Sequence, residues 1–225
     1  MNNPKLWIFG DSFSYPYNIE ESTSWPVLLS KKLKAELVNF AQPAADNFFI
    51  FNSFYENYNK ISKEDFVVIG WSHPNRKSFI FDKSNKLHKN ALKDSITLKG
   101  CSSDLFRGFP SKTKPKTFEK YSSMSPVTSG NSFFDFWFEN YFSRHTQDVE
   151  LFAFVNAVEN LAKCNLINFF FSQESTNNLE LNIKLDIISF IKSNSNYSLS
   201  NKDFHLSELG HEKWSKLIYK AIRND

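Results

Sequence analysis

A serine, a histidine and an aspartate supply the reactive groups to follow in this sequence. Ser12 closes the stretch Leu6-Trp7-Ile8-Phe9-Gly10-Asp11-Ser12, in which an apolar run stops abruptly at a glycine. Near the other end stands Asp203-Phe204-His205-Leu206-Ser207-Glu208-Leu209-Gly210-His211. A serine hydroxyl is a poor nucleophile until a base takes its proton, and that base must be held in one tautomer by a carboxylate or carbonyl. Ser12, His205 and Asp203 match the three roles. The blander reading of Gly-Asp-Ser by itself is a turn or helix cap, since Asp and Ser after a strand bond the local backbone.

These residues need elements to carry them. An apolar run ended by glycine fits a strand of a parallel sheet covered on both faces, and open α/β sheets place ligands beyond the carboxyl ends of such strands. Ser24-Trp25-Pro26 then reads as an N-cap with an early-turn proline, followed by Trp25, Leu28, Leu29, Leu33 and Leu37 at helical spacing. Leu37-Val38-Asn39-Phe40 is a second strand, Asp46 caps a helix to about Tyr58, and Phe66-Val67-Val68-Ile69-Gly70 is a third strand. Helical period returns from Val149 to Lys163, and Leu166 to Phe171 is a fourth strand. Leu179 to Ile187 alternate like an edge strand, yet Leu181, Leu185, Ile188 and Ile191 fit a helix face, which the topology favours. Ser207 caps a last helix with Trp214, Leu217, Ile218, Ala221 and Ile222 inward, leaving His205 on the loop before it. The alternation predicts a three-layer α/β/α fold of the flavodoxin-like kind, with a central parallel sheet of about five strands.

At the two ends the chain resembles the SGNH (GDSL-type) hydrolase family, whose first motif is Gly-Asp-Ser and whose last pairs an Asp with a His before the C-terminal helix. The Asp commonly lies three residues before the His in that family, and here the spacing is two. Asn39-Phe40-Ala41-Gln42-Pro43-Ala44 occupies the second motif, and Gly70-Trp71-Ser72-His73 the third. The resemblance implies an oxyanion hole made by the N–H groups of Ser12 and Ala44 and by Ser72, which stands where the family has an asparagine; Asn75 is the fallback donor. An alanine retains the N–H, and a hydroxyl donates with a shorter reach than an amide. The implied activity is a serine esterase working through an acyl-enzyme, removing a short acyl group, especially acetyl, from a carbohydrate or related small substrate. An acyltransferase of the same fold is the alternative, as is a catalytically weak or inactive binding module, suggested by Ala44 and Ser72.

Between the third strand and Val149 the alternation breaks down, and residues 74–148 read as one insertion in a single domain of 225 residues. Segments this long are lids, binding loops or disordered. Phe133, Phe134, Phe136, Trp137, Phe138, Tyr141 and Phe142 predict an aromatic helix that packs it down. Its first part is strongly basic, although the whole chain is only +3. That balance disfavours a nucleic acid partner and favours a small or glycan ester, with an anionic substrate suited to the local charge. Arg76 could hold such an anion, and Asp11 either joins it in binding substrate or shapes the Ser12 turn. His73 reads as a loop histidine and His211 as a packing or capping one. Cys101 and Cys164 lack the spacing of a zinc site, so no metal and no cofactor is expected. Neither a signal peptide nor an apolar run long enough for a bilayer is visible, which predicts a cytoplasmic protein without membrane contact.

Overall fold

The computed structural model describes residues 3–43, 45–74, 76–80, 121–124, 140–172 and 185–223. In chain order the elements are β1 (Lys5–Phe9), α1 (Trp25–Leu33), β2 (Glu36–Asn39), α2 (Asn47–Tyr55), β3 (Phe66–Trp71), β4 (Lys77–Ile80), β5 (Tyr121–Met124), α3 (Arg144–Leu161), β6 (Asn165–Phe170), α4 (Ile187–Lys192) and α5 (Glu208–Arg223). Four strands form one parallel sheet in the order β2-β1-β3-β6.

Strand alternation divides the core in two. Leu6, Ile8, Val68 and Phe169 face a layer with Trp25, Leu29, Ile187, Ile191, Trp214 and Ile218 from α1, α4 and α5. Trp7, Phe9, Val67, Ile69 and Phe170 face the opposite layer, with Phe49, Ile50 and Phe54 of α2 and Leu151, Val155 and Val158 of α3. Each large apolar side chain so buried contributes roughly 1.5–3 kcal/mol relative to exposure, which is why β1 and β3 read as nearly continuous apolar runs. Gly70 is required by packing: a Cβ there would stand 2.3 Å from Cζ of Phe169 on the neighbouring strand.

The sheet has four strands where about five are expected. At the fifth place the structure has a single parallel bridge, Phe170 with Asp186. Asp186 is extended, but its Oδ1 accepts from Ser189 N at 2.9 Å, so it caps α4 and the chain turns helical at once. Most of the stretch from Leu179 whose period is ambiguous lies outside the described residues.

The caps are partly as expected. Asp46 accepts from Phe49 N at 2.8 Å and starts α2, and Ser207 accepts from Gly210 N at 3.1 Å and starts α5. Ser24 occupies the N-cap position of α1, but its hydroxyl donates to Glu21 O; the N–H of Trp25 donates to Nδ1 of His211, at 3.1 Å. The expected insertion is shorter at its C-terminal end, because Ser143 caps α3 and Arg144 pairs with the buried Asp148 one turn on, so residues 144–148 are helical. It also contains an antiparallel ribbon of β4 and β5. The expected aromatic helix lies largely outside the described residues. Among the described residues no helix is long and apolar enough to cross a membrane.

Candidate active site

Among the described residues, the predicted site residues Asp11, Ser12, Ser72, Arg76, Asp203 and His205 all belong to loops at the carboxyl end of the sheet or beside it. The chain runs from β1 outward to β2 and then returns across β1 to β3, so the ends of β1 and β3 flank the point where strand order reverses, the usual crevice of such sheets. After β1 the backbone turns at once: Ser14 N donates to Asp11 O at 3.0 Å, and Phe13 N to Asp11 Oδ1 at 3.0 Å. Gly10 permits this, since a Cβ on it would lie 2.4 Å from Oγ of the buried Ser14. Ser12 is left with 6% of its surface exposed.

The structure brings Ser12, His205 and Asp203 together. Nε2 of His205 lies 2.9 Å from Ser12 Oγ, and Nδ1 lies 2.6 Å from Asp203 Oδ1. The same Oδ1 accepts the backbone N–H of His205 at 3.0 Å, so the carboxylate folds forward over a turn two residues long. The loop is pinned on both sides: Leu199 N donates to His205 O at 2.8 Å, Ser198 pairs with Leu206, and Asp203 N is held by Ser200 Oγ at 3.0 Å. Burial acts to raise the pKa of Asp203, but hydrogen bonds from His205 and its charge outweigh it and hold the carboxyl below the ordinary range. With the carboxylate at Nδ1, the neutral ring carries its hydrogen there and turns the Nε2 lone pair to the serine. Phe13 and Tyr17 both stack on the imidazole, with centroids at 5.1 and 4.2 Å.

The other side of Ser12 differs from expectation. Ser72 is buried and its hydroxyl donates to Asp11 Oδ2 at 3.0 Å, while Nη1 of Arg76 donates to the same Oδ2 at 2.7 Å and to Ser72 Oγ at 2.8 Å. The hydrogen expected to meet an oxyanion is therefore committed to a carboxylate, which is the stronger acceptor. Asp11, 3% exposed and bonded on both oxygens, is walled off from substrate, so of its two expected roles it fits shaping the turn. Arg76 is tied to it and is not an open anion receptor at Nη1. Ala44 and Asn75 lie outside the described residues.

A cleft of about 430 Å³ is lined by His73, Arg144, Phe171, Ser172, Ile188, Lys192 and Phe204; His73 and Phe204 adjoin Ser72 and His205 in the chain, while Ser12, His205 and Asp203 are not in its wall. Burial, with help from the cations Arg76 and Arg144 and against Asp11, pushes His73 down to about 4, so its ring is neutral at pH 7. Among the described residues no cluster of metal-ligating side chains exists.

Three contributors escaped sequence reasoning. Asn47, at the start of α2, grips the backbone of Ser72: its Oδ1 accepts from Ser72 N at 2.7 Å and its Nδ2 donates to Ser72 O at 3.2 Å. Nothing in the sequence signals that pairing. Phe13 and Tyr17 were signalled only by being aromatic just after the nucleophile.

Family models give no match to the sequence, and neither do curated proteins. Among solved structures the chain is similar to the psychrotrophic esterase EstA from Pseudoalteromonas sp., a structure inhibited by monoethylphosphonate, at 11% identity over 99% of this chain and 98% of that one, with a TM-score of 0.52. It is also similar to the lipase Lip_vut3 from a goat rumen metagenome, at 12% identity over 97% of each chain and a TM-score of 0.50. A G-D-S-L family protein from Desulfitobacterium hafniense matches at 14% identity over 97% of this chain and 99% of that one, with a TM-score of 0.46. What such distant likeness shows is architecture: the chain shares the three-layer α/β/α fold of the EstA and Lip_vut3 structures.

Proposed function

We propose that this chain is a serine hydrolase that cleaves a carboxylic ester through an acyl-enzyme. The observation that carries the reading is the relay from Ser12 Oγ to His205 Nε2 at 2.9 Å and from Nδ1 to Asp203 Oδ1 at 2.6 Å. Ser12 attacks the ester carbonyl as Nε2 takes its proton; the imidazolium rests against the Asp203 carboxylate and returns the proton to the leaving alcohol. Water, activated by the same nitrogen, then releases the acid. The oxyanion meets the N–H of Ser12 and, by the family resemblance, that of Ala44.

The substrate proposed is a small ester, a short acyl group such as acetyl on a carbohydrate. A cleft of about 430 Å³ is of small-molecule size. Phe171, Ile188 and Phe204 give it apolar walls and Lys192 gives it a cation beside the Arg144–Asp148 pair, which favours a substrate bearing an anionic group. The commitment of the Ser72 hydroxyl to Asp11 supports a second reading, a weak enzyme or binding module on the same fold.

Labelling with a fluorophosphonate, located by mass spectrometry, decides between them. Modification at Ser12 is expected, and Ser12→Ala should abolish both labelling and acyl release from p-nitrophenyl acetate while keeping its melting temperature. An unlabelled wild-type protein, or unchanged turnover in Ser12→Ala, refutes the hydrolase.

A further inference from the structure

Arg76 sits where three loops meet. Its Nη1 donates to Asp11 Oδ2 at 2.7 Å, to Ser72 Oγ at 2.8 Å and, more weakly, to Ala45 O at 3.4 Å. Those acceptors belong to the turn after β1, the loop between β2 and α2, and the end of β3. Asp11 precedes Ser12, Ala45 follows Ala44, and Ser72 stands in the third motif, so one guanidinium nitrogen touches a neighbour of each expected oxyanion donor or that donor itself. The cluster is largely dry: the side chains of Arg76 and Asp11 are 19% and 4% exposed, and Ser72 is 2% exposed. Bonds to ionised partners are roughly twice as strong as neutral ones, and in such an environment they are weakly screened.

The consequence is geometric. Ser72 is too short to do what an asparagine amide does, and its hydrogen is already taken. Asn47 fixes the backbone of Ser72 but does not itself reach the Ser12 turn, which Ser72 meets through its hydroxyl on Asp11 Oδ2. The Asp11–Arg76 pair reaches it too, since the other oxygen of Asp11 holds Phe13 N and sets the direction of the Ser12 backbone. We propose that Arg76 is a positioning residue for the oxyanion side of the site, acting through Asp11 to fix the Ser12 turn against the ends of β2 and β3. The proposal rests on the hydrolase reading above. It assigns Arg76 no contact with substrate, in place of the anion-binding role its position after the third motif suggests.

The test compares wild type, Arg76→Ala, Arg76→Lys, Asp11→Asn and the Arg76→Ala/Asp11→Asn double variant on p-nitrophenyl acetate, a neutral ester. Misplacing a reacting group by about 1 Å costs on the order of 100-fold in rate, so Arg76→Ala should lower kcat by about 10- to 100-fold with KM within about twofold. Arg76→Lys should recover part of the loss, since an ammonium can hold Asp11 but not three loops at once. Millimolar guanidinium should raise the kcat of Arg76→Ala and leave wild type unchanged. The double variant should be no slower than Arg76→Ala, because the arginine works through the aspartate. If Arg76→Ala does not fold, Asp11→Asn and Arg76→Lys carry the same comparison of kcat with KM. Wild-type kcat on the acetate with a raised KM only for an anionic ester would make Arg76 a substrate ligand and overturn the proposal, as would losses that multiply in the double variant. A wild-type protein that neither hydrolyses the ester nor takes the fluorophosphonate fails the hydrolase reading and this proposal together; an active, labelled wild type with a fully active Arg76→Ala fails this proposal alone.

Discussion

Asp203→Asn isolates the charge of the proposed triad from its shape. The amide keeps an oxygen where Oδ1 now accepts both the N–H of His205, at 3.0 Å, and its Nδ1, at 2.6 Å, so ring orientation is largely preserved. What disappears is the negative charge that faces the imidazolium formed during attack. For unit charges about 4 Å apart the attraction is about 4 kcal/mol at an effective dielectric near 20 and about 1 kcal/mol in bulk water. The side chains of His205 and Asp203 are 25% and 37% exposed, so solvent screens the pair and the loss falls between those limits. At about 1.4 kcal/mol per decade, kcat should drop by roughly 10- to 1,000-fold. KM should stay near wild type, because the imidazolium forms only in the tetrahedral steps that make and break the acyl-enzyme and not in the bound ground state. Steady-state hydrolysis of p-nitrophenyl acetate measures both. A kcat within about threefold of wild type would mean that Asp203 only holds the loop, and a loss as complete as that of Ser12→Ala would refute the screening argument.

Two further expectations concern stability. His211 is buried, and burial followed by the charge of His205 pushes its pKa from 6.5 down to about 4. The unfolded chain therefore binds the proton first: stability is full above pH 6.5 and falls as the pH drops toward 4, by about 3 kcal/mol from this group. Urea unfolding at pH 7 and pH 4.5 should show that loss in wild type and a smaller one in His211→Gln, with the remainder due to His73, which is lowered in the same direction; equal losses in both proteins would remove His211 as the cause. Gly10→Ala puts a Cβ 2.4 Å from Oγ and 2.8 Å from Cβ of Ser14, and overpacking of this kind costs roughly 1–3 kcal/mol. Both melting temperature and kcat should fall, and a variant with wild-type values would show that the turn relaxes freely.

What sequence makes legible here is what burial and local bonding write into it. β1 and β3 are buried between helices and β6 is partly buried at the sheet edge, and all three show as apolar runs; Asp46 and Ser207 cap helices through N–H groups three residues away. Ser24 marks the start of α1, yet the acceptor for Trp25 N comes from His211, 186 residues along the chain, and no local pattern encodes that. β4 and β5 pair across a long separation in sequence without the tight-turn residues that advertise a hairpin. At the site, residue types and order placed Ser12 and His205, but the direction of one hydroxyl hydrogen decides what Ser72 does. That direction is set by Asp11 and Arg76, 61 and 4 residues away.

The short spacing between Asp203 and His205 follows from how the carboxylate is used. Reaching Nδ1 across three residues requires an open turn, whereas here Oδ1 bonds the backbone N–H two residues on and the ring of that same residue. One oxygen closes the turn and orients the base, so the backbone bond itself sets the angle at which the ring leaves the chain. Two further supports come from outside the loop: Phe13 and Tyr17 stack on the imidazole from the segment that follows Ser12. Nucleophile and base are thus referenced to the same short turn after β1, which Trp25 Nε1 anchors by donating to Phe13 O at 2.7 Å. The alignment of Nε2 with Ser12 Oγ consequently depends on the rigidity of that turn more than on the position of α5. For that reason a Cβ at Gly10, well removed from His205 in sequence, is expected to lower kcat as well as stability.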